Sequence, residues 1–336
     1  MAELVFRGAR VTIAFGPLGL GAASIGNLYR EVDDARARGA LDAAWDGGIR
    51  YFDTAPHYGL GLSERRLGDF LRDKPRDDYI VSTKVGRLLE PNPAFAGGRD
   101  LAQGFDVPDD VLRRFDASAE GIRRSLEESL ERLALDRVDI LYLHDPDAYD
   151  LEWGLRDGLP ALAALRDEGL VEAIGIGVND SAVATRAVVE GDLDLVMIAG
   201  RYTLLEQTAA EDLLPACAAR GVRVVAAAPF NSGLLATSGP RADATYNYGE
   251  APAEVIERAS AIARVCAAFG VELPAAALQF PLRHPAVTTV VVGTANPASI
   301  SENIARISAP IPDELWAVLA DRGLVADPST STSQHS

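Results

Sequence analysis

A chain of 336 residues with 48% hydrophobic and 24% charged residues carries enough apolar material for a large buried core and lacks the composition of a disordered polymer. Its 49 acidic against 32 basic residues leave a formal charge of −17, which repels polyanions and so excludes nucleic acid and anionic membrane as expected partners. Cys217 and Cys266 are the only cysteines, too few for a disulfide framework; with no signal-type segment and no run of about 18 apolar residues, a cytoplasmic location is expected.

Two short apolar stretches, 4–6 and 11–15, flank a polar turn and predict an N-terminal hairpin. From there the chain alternates short Val/Ile/Leu-rich runs with longer amphipathic ones. The predicted strands are 18–22, 49–53, 79–84, 140–144, 172–177, 193–198, 222–228 and 288–292. The predicted helices are 33–46, 63–72, 117–135, 154–168, 180–190, 209–220, 252–269, 274–283, 297–307 and 312–322, with Ser63 read as an N-cap. Gly47, Gly48, Gly169, Gly191 and Gly221 stand where left-handed helix ends are wanted. Eight such units predict an α/β fold, a (β/α)8 TIM barrel with its site at the C-terminal ends of the strands. Residues 1–326 are expected to form one barrel domain, and 327–336, which lack an apolar anchor, a disordered tail. The connections 86–116 and 229–251 are too long for turns and predict binding loops on the catalytic side.

In that barrel Asp53 ends the second strand, Lys84 the third and His144 the fourth, with Tyr58 just beyond the second, so four polar side chains converge on one mouth. A phenol is a poor acid or base near neutral pH until its surroundings tune it. A lysine beside it stabilises the phenolate, and a carboxylate behind the lysine fixes the ammonium. The four histidines, His57, His144, His284 and His335, show no metal-ligand spacing to one another or to the cysteines, so no metal is expected.

The segments around Asp53…Tyr58-Gly59 with Ser63-Glu64, Ser82-Thr83-Lys84 and Leu141-Tyr142-Leu143-His144 resemble, in order and spacing, the motifs of the aldo-keto reductases across residues 10–323. The resemblance implies a catalytic tetrad of Asp53, Tyr58, Lys84 and His144, with Tyr58 as acid–base and hydride exchanged with a nicotinamide ring; His57, by its place beside Tyr58, is expected as a further substrate contact with Tyr58 and His144.

For the cofactor, Gly19-Leu20-Gly21-Ala22-Ala23-Ser24-Ile25-Gly26 has its third glycine out of place for a Rossmann fingerprint, and no second strand ends at Asp33-Asp34. The resemblance instead implies that Gly21 and Ala22 lie beneath the nicotinamide and that Asn179 contacts its carboxamide. Ala228-Pro229-Phe230-Asn231-Ser232-Gly233-Leu234 would clasp the pyrophosphate, while Gly293, Thr294, Ser299, Glu302 and Asn303 would hold the adenosine end. The family commonly has glutamine and an aromatic residue at the positions of Ala199 and Ala227; either Arg201 or Tyr202 reaches the cofactor or substrate in their place, or the two are an ordinary surface arginine and a packed tyrosine. Family members using NADP commonly present a lysine and an arginine at the positions of Gly293 and Ser299, so NAD is the expected cofactor and NADP the less favoured one.

Within the family, Gly177-Val178-Asn179, Gly200-Arg201-Tyr202 and Ala228-Pro229-Phe230-Asn231 resemble the branch of aldose dehydrogenases, which oxidise L-fucose, D-arabinose or L-galactose at the anomeric carbon with NAD. A relative in that branch oxidises pyridoxal, also a cyclic hemiacetal. A small-molecule substrate is therefore expected, sugar first and pyridoxal second. A nicotinamide-binding regulatory protein with little turnover is the rival. A barrel hydrolase would need a metal cluster or carboxylate pair that the sequence does not display.

Overall fold

The computed structural model describes residues 13–326 apart from Ala242 and Tyr248. The expected tail and all of the expected hairpin except residues 13–15 lie outside the described residues. In chain order the elements are β1 (Leu18–Gly21), α1 (Asp34–Asp46), β2 (Tyr51–Asp53), α2 (Leu62–Leu71), β3 (Ile80–Val85), β4 (Arg87–Pro91), β5 (Val111–Phe115), α3 (Ala119–Leu133), β6 (Ile140–His144) and α4 (Leu151–Trp153). There follow α5 (Leu159–Asp167), β7 (Ala173–Val178), α6 (Ser181–Glu190), β8 (Leu195–Ala199), α7 (Leu213–Arg220), β9 (Arg223–Ala227), β10 (Thr245–Tyr246), β11 (Gly249–Glu250), α8 (Ala253–Ala268), α9 (Leu273–Gln279), β12 (Val287–Gly293), α10 (Pro297–Ile307) and α11 (Asp313–Asp321).

Eight parallel strands close into a barrel in the order β1-β12-β9-β8-β7-β6-β3-β2. The two-residue period of a strand divides each one between two cores. Outward residues such as Phe52, Val81, Leu141 and Leu143 join the large core under the helices, while Tyr51, Ile140, Tyr142, Ala173, Leu195, Met197, Val225 and Val291 fill the barrel. At the N-terminal end Arg223 donates to the Ile13 carbonyl at 2.9 Å, and Phe15 packs edge-on against Tyr51. Register places the polar strand ends at adjacent levels: Asp53 opposite Ser82, Lys84 opposite Tyr142, and His144 opposite Gly177.

Side-chain caps explain several of the helix starts. Asp33, Ser118, Asp180 and Asn296 accept from backbone N–H groups at the heads of α1, α3, α6 and α10. Ser63 is not the cap of α2; Gly61, at φ 79°, takes that position. The Ser63 hydroxyl instead turns inward, donating to the Ala22 carbonyl and meeting Thr54 Oγ1, both at 2.8 Å, which ties α2 to the ends of β1 and β2. Gly48, Gly169 and Gly221 are left-handed as expected, whereas Gly47 and Gly191 keep negative φ. The helix expected over 154–168 opens with a π turn at Gly154–Gly158, and the one expected over 274–283 breaks at Gln279 because Pro281 has no N–H to give.

The long connection after β3 is no plain loop, because β4 and β5 form an antiparallel hairpin with Arg87 opposite Phe115. Alternation turns Arg113 and Phe115 inward and leaves Leu112 and Arg114 outside. Among its described residues, the connection after β9 has only the short β10–β11 ladder.

Candidate active site

β2, β3 and β6 deliver Asp53, Lys84 and His144 to one level of the mouth, and the turn after β2 delivers Tyr58. That turn is held by close backbone approach. Gly59, at φ 61°, leaves no room for a Cβ, which would lie 2.1 Å from the Gly26 carbonyl oxygen.

Lys84 is the hub. Its ammonium donates to Asp53 Oδ2 at 2.6 Å, to the Thr54 carbonyl at 2.9 Å and to the Tyr58 hydroxyl at 3.0 Å. All three donors of the ammonium are thereby committed. The Tyr58 oxygen accepts from Lys84, which leaves its own O–H free to point elsewhere. Burial works against the charge on Lys84, but the Asp53 carboxylate and then Tyr58 outweigh it and raise its pKa.

Tyr58 departs from the sequence expectation. Desolvation pushes its phenol up to about 12, and the downward pull of Lys84 is smaller than that push. The phenol is therefore loaded with its proton at neutral pH, and a reaction that needs it as a base should quicken as pH rises.

His57 and His144 sit edge-to-face on each other, with ring centroids 5.6 Å apart, and His144 meets Tyr58 in the same way at 5.8 Å. Phe105, from the segment between β4 and β5, packs its ring on both His57 and Tyr58. Burial, then the nearby Arg87, Arg113 and Lys84, push His57 down to about 2. Burial, with Arg87, Lys84, His57 and Arg113 behind it, holds His144 well below its usual range as well. Both rings are neutral, and the Nδ1 atom of each is buried without a hydrogen-bond partner, as is the Tyr149 hydroxyl.

The sign of the resulting pH dependence is fixed. In the unfolded chain His57 takes up a proton as pH falls through about 6.5, whereas the folded protein keeps it neutral down to about 2. Its burial costs nothing above that window and destabilises progressively within it. Denaturant unfolding should show a loss of about 2 kcal/mol for this one group between pH 7 and pH 5. His57→Gln should flatten the slope, and an unchanged slope would contradict the assignment.

Arg87 and Arg113 were not among the expected site residues. Arg87, buried, donates to Asp145 Oδ2 at 2.7 Å, and that oxygen lies 3.4 Å from His144 Nε2; Asp145 is held at φ 40°. Arg113 clasps both Asp100 oxygens and donates to the His57 carbonyl at 3.0 Å. The usable signal was the alternation of the β4–β5 hairpin, which aims one arginine of each strand inward.

The residues expected at the cofactor lie around the same face. Gly21 and Gly293 are partners at the neighbouring ends of β1 and β12, and Ala22 is buried in the turn that follows. Asn179 stands just past β7, half-buried. After β9 the backbone turns through Ala228, Asn231 and Ser232 at positive φ (53°, 44° and 57°) and Gly233 at 94°. Asn231 fixes this turn, accepting from Thr203 Oγ1 at 2.6 Å and donating to the Gly200 carbonyl at 3.2 Å, with Leu234 buried beyond it and Pro229 and Phe230 before it. After β12, the strand paired with β9, Asn296 caps α10 and donates to Ser299 Oγ at 3.1 Å, and Thr294 Oγ1 accepts from the Asn296 N–H. Glu302 pairs with Arg306 at 3.0 Å while Asn303 is buried. A left-handed backbone turn beside a helix N-terminus suits the phosphates of a dinucleotide, so the residues present fit one.

Two alternatives narrow. Tyr202 is packed in the core against Phe280 and His284, so it does not face the mouth; Arg201 lies at the surface and donates to Asn247 Oδ1 at 3.1 Å. Among the described residues no group of three or more His, Cys, Asp or Glu is placed to hold a metal, and no single helix is long and apolar enough to cross a membrane.

A closed parallel barrel with a buried lysine–carboxylate–phenol cluster at its C-terminal mouth, beside backbone suited to phosphates, is the architecture of a TIM-barrel oxidoreductase. The profile of the Aldo/keto reductase family matches residues 17–321, and the chain belongs to that family. It is 54% identical over 321 residues to a D-threo-aldose 1-dehydrogenase from Pseudomonas sp, covering 95% of this chain and 98% of that one. It is 39% identical to a pyridoxal 4-dehydrogenase from Microbacterium luteolum, covering 94% and 96%. Among solved structures, an aldo-keto reductase from Bacillus halodurans in its holo form shares the fold with a TM-score of 0.73 at 24% identity, over 95% of each chain. The chain is an aldo-keto reductase family oxidoreductase that acts on small molecules.

Proposed function

We propose that the chain is an NAD-dependent aldose 1-dehydrogenase, oxidising the anomeric carbon of a sugar such as L-fucose, D-arabinose or L-galactose to the lactone. The observation that carries the reading is the saturated Lys84 ammonium, which holds the Tyr58 oxygen at 3.0 Å with its own O–H bond unused. The relative at 54% identity supports the aldose, and the one at 39% makes pyridoxal the second reading.

In the oxidative direction Tyr58, as phenolate, takes the proton of the anomeric hydroxyl while Lys84 stabilises the phenolate and Asp53 holds Lys84. His144, neutral, orients the substrate oxygen, and His57 borders the ring. A nicotinamide held beside Gly21, Ala22 and Asn179 would supply the acceptor for the hydride that leaves the anomeric carbon. In the reductive direction Tyr58 returns the proton to the developing alkoxide.

Preference for NAD rests on Gly293 and Ser299, neither of which offers a cation to a 2′-phosphate. Arg36 reaches the same turn from α1, its Nε–H donating to the Ala295 carbonyl at 3.2 Å. A panel of L-fucose, D-arabinose, L-galactose and pyridoxal with each cofactor tests the whole reading. The expected result is turnover with the aldoses and kcat/KM at least about tenfold higher with NAD, the effect of about one good charge-assisted contact. Gly293→Lys with Ser299→Arg should narrow that gap, because a Cβ at Gly293 meets nothing closer than 3.6 Å. Comparable efficiency with NADP would overturn the preference, and turnover of pyridoxal alone would replace the substrate.

A further inference from the structure

Behind the acid–base cluster the barrel interior holds a line of hydroxyls that the proposed reaction does not use. Tyr142, inward on β6, has its oxygen 3.4 Å from that of Tyr51 on β2; the Tyr51 oxygen is 3.0 Å from Ser82 Oγ on β3; and Ser82 Oγ donates to Asp53 Oδ1 at 2.6 Å. Tyr142, Tyr51, Ser82 and Asp53 are all buried, at most 2% exposed.

The polarity of the line follows from its end. An ionised Asp53 only accepts, so Ser82 spends its proton there and can only accept from Tyr51, whose oxygen is in turn free to accept from Tyr142. Every donor points towards Asp53. The other carboxylate oxygen, Oδ2, receives Lys84, and Lys84 reaches Tyr58. Five hydrogen bonds thus join the inner barrel to the phenol. Burial, with Tyr142 and Asp53 adding to it, raises the Tyr51 phenol well above its usual range, so Tyr51 stays a donor throughout the working pH range.

A donor on one oxygen of a carboxylate weakens the carboxylate as an acceptor at the other. Ser82 therefore limits how far Asp53 neutralises the Lys84 ammonium, and more of that charge remains to stabilise the Tyr58 phenolate. We propose that Ser82 and Tyr51 are positioning residues that act through Asp53 and Lys84 to lower the proton affinity of Tyr58. The inference rests on the reading of Tyr58 as the acid–base. The plain alternative is that Ser82 and the tyrosines merely satisfy one another's buried hydroxyls.

The two differ in what a pH profile reads. The charged and titratable groups that face Tyr58 are Lys84 and Asp53 below it, His144 and Asp145 from the β6 side, His57 beside it and Arg87 from β4, with Arg113 behind His57. Substitution at position 82 replaces none of them, so a displaced midpoint reports the chain itself.

The test is kcat for aldose oxidation against pH at saturating substrate and NAD, in the full-length enzyme, for wild type, Ser82→Ala and Tyr51→Phe, with Tyr58→Phe as control. Ser82→Ala should move the midpoint of the rising limb upwards by about 0.5 to 1 unit, part of the strength of a hydrogen bond to a charged group. Tyr51→Phe should move it the same way by less. A lowered kcat or thermal midpoint with the pH midpoint unmoved in both variants would overturn the proposal. If Ser82→Ala does not fold, Tyr51→Phe decides alone, a displaced midpoint supporting the chain and an unmoved one rejecting it. Full turnover by Tyr58→Phe would instead reject the reading of Tyr58, whatever the other two variants show.

Discussion

Tyr58→Phe is expected to lower kcat for aldose oxidation by about three orders of magnitude, within the usual range for a lost acid–base group, while NADH affinity stays within about twofold. The substitution removes one oxygen and leaves the ring to pack on His144 and Phe105. Lys84 keeps two of its three acceptors, Asp53 and the Thr54 carbonyl, so the cluster below the ring should persist. The residues expected to hold the dinucleotide stand at the ends of β1, β7, β9 and β12, on elements that the lost hydroxyl does not touch. Steady-state rates paired with a fluorescence titration of NADH separate the two effects. Turnover near the wild-type rate would remove the phenol from the reaction, and a parallel loss of cofactor affinity would mean that the mouth itself had collapsed.

Lys84→Met should damage stability as well as activity. Lys84 and Asp53 are 2% exposed each and joined at 2.6 Å, so the variant strands a carboxylate where water does not reach. Removing one partner of such a buried pair costs about 3–5 kcal/mol, more than the pair as a whole contributes against an apolar replacement. The double variant Lys84→Met with Asp53→Asn should therefore recover much of the lost stability. It should recover none of the turnover, because Tyr58 still lacks its donor. Denaturant unfolding of the two variants checks this directly, and wild-type stability in Lys84→Met alone would show that Asp53 finds another counter-charge.

The barrel was legible because its signals are local. Each of the eight expected strands exists with ends displaced by no more than two residues, since short apolar runs bounded by glycine and polar residues carry that information in themselves. Asp53, Lys84 and His144 were legible as strand ends, and the structure brings them together with Tyr58. What was not legible depends on register. That Asp53 lies opposite Ser82, so that a serine hydroxyl reaches its second oxygen, follows from the pairing of β2 with β3 and leaves no mark on either segment alone. Ser63 has the residue type of a cap, yet a glycine two positions earlier took that place and freed the hydroxyl for Ala22. Tyr202 reads equally as a site tyrosine or a packed one by its neighbours in sequence, and its neighbours in space make it a core residue. The acidity of Tyr58 turned on magnitude: lysine and burial both act on the phenol, and only the enclosed geometry shows burial to be the larger.

The most direct measurement repeats the aldose reaction with L-fucose carrying deuterium at the anomeric carbon. Oxidation at that carbon predicts deuterium in the reduced nicotinamide, L-fuconolactone as the product, and loss of both with Tyr58→Phe. Turnover that leaves the nicotinamide unlabelled would place the chemistry at another carbon and contradict the account.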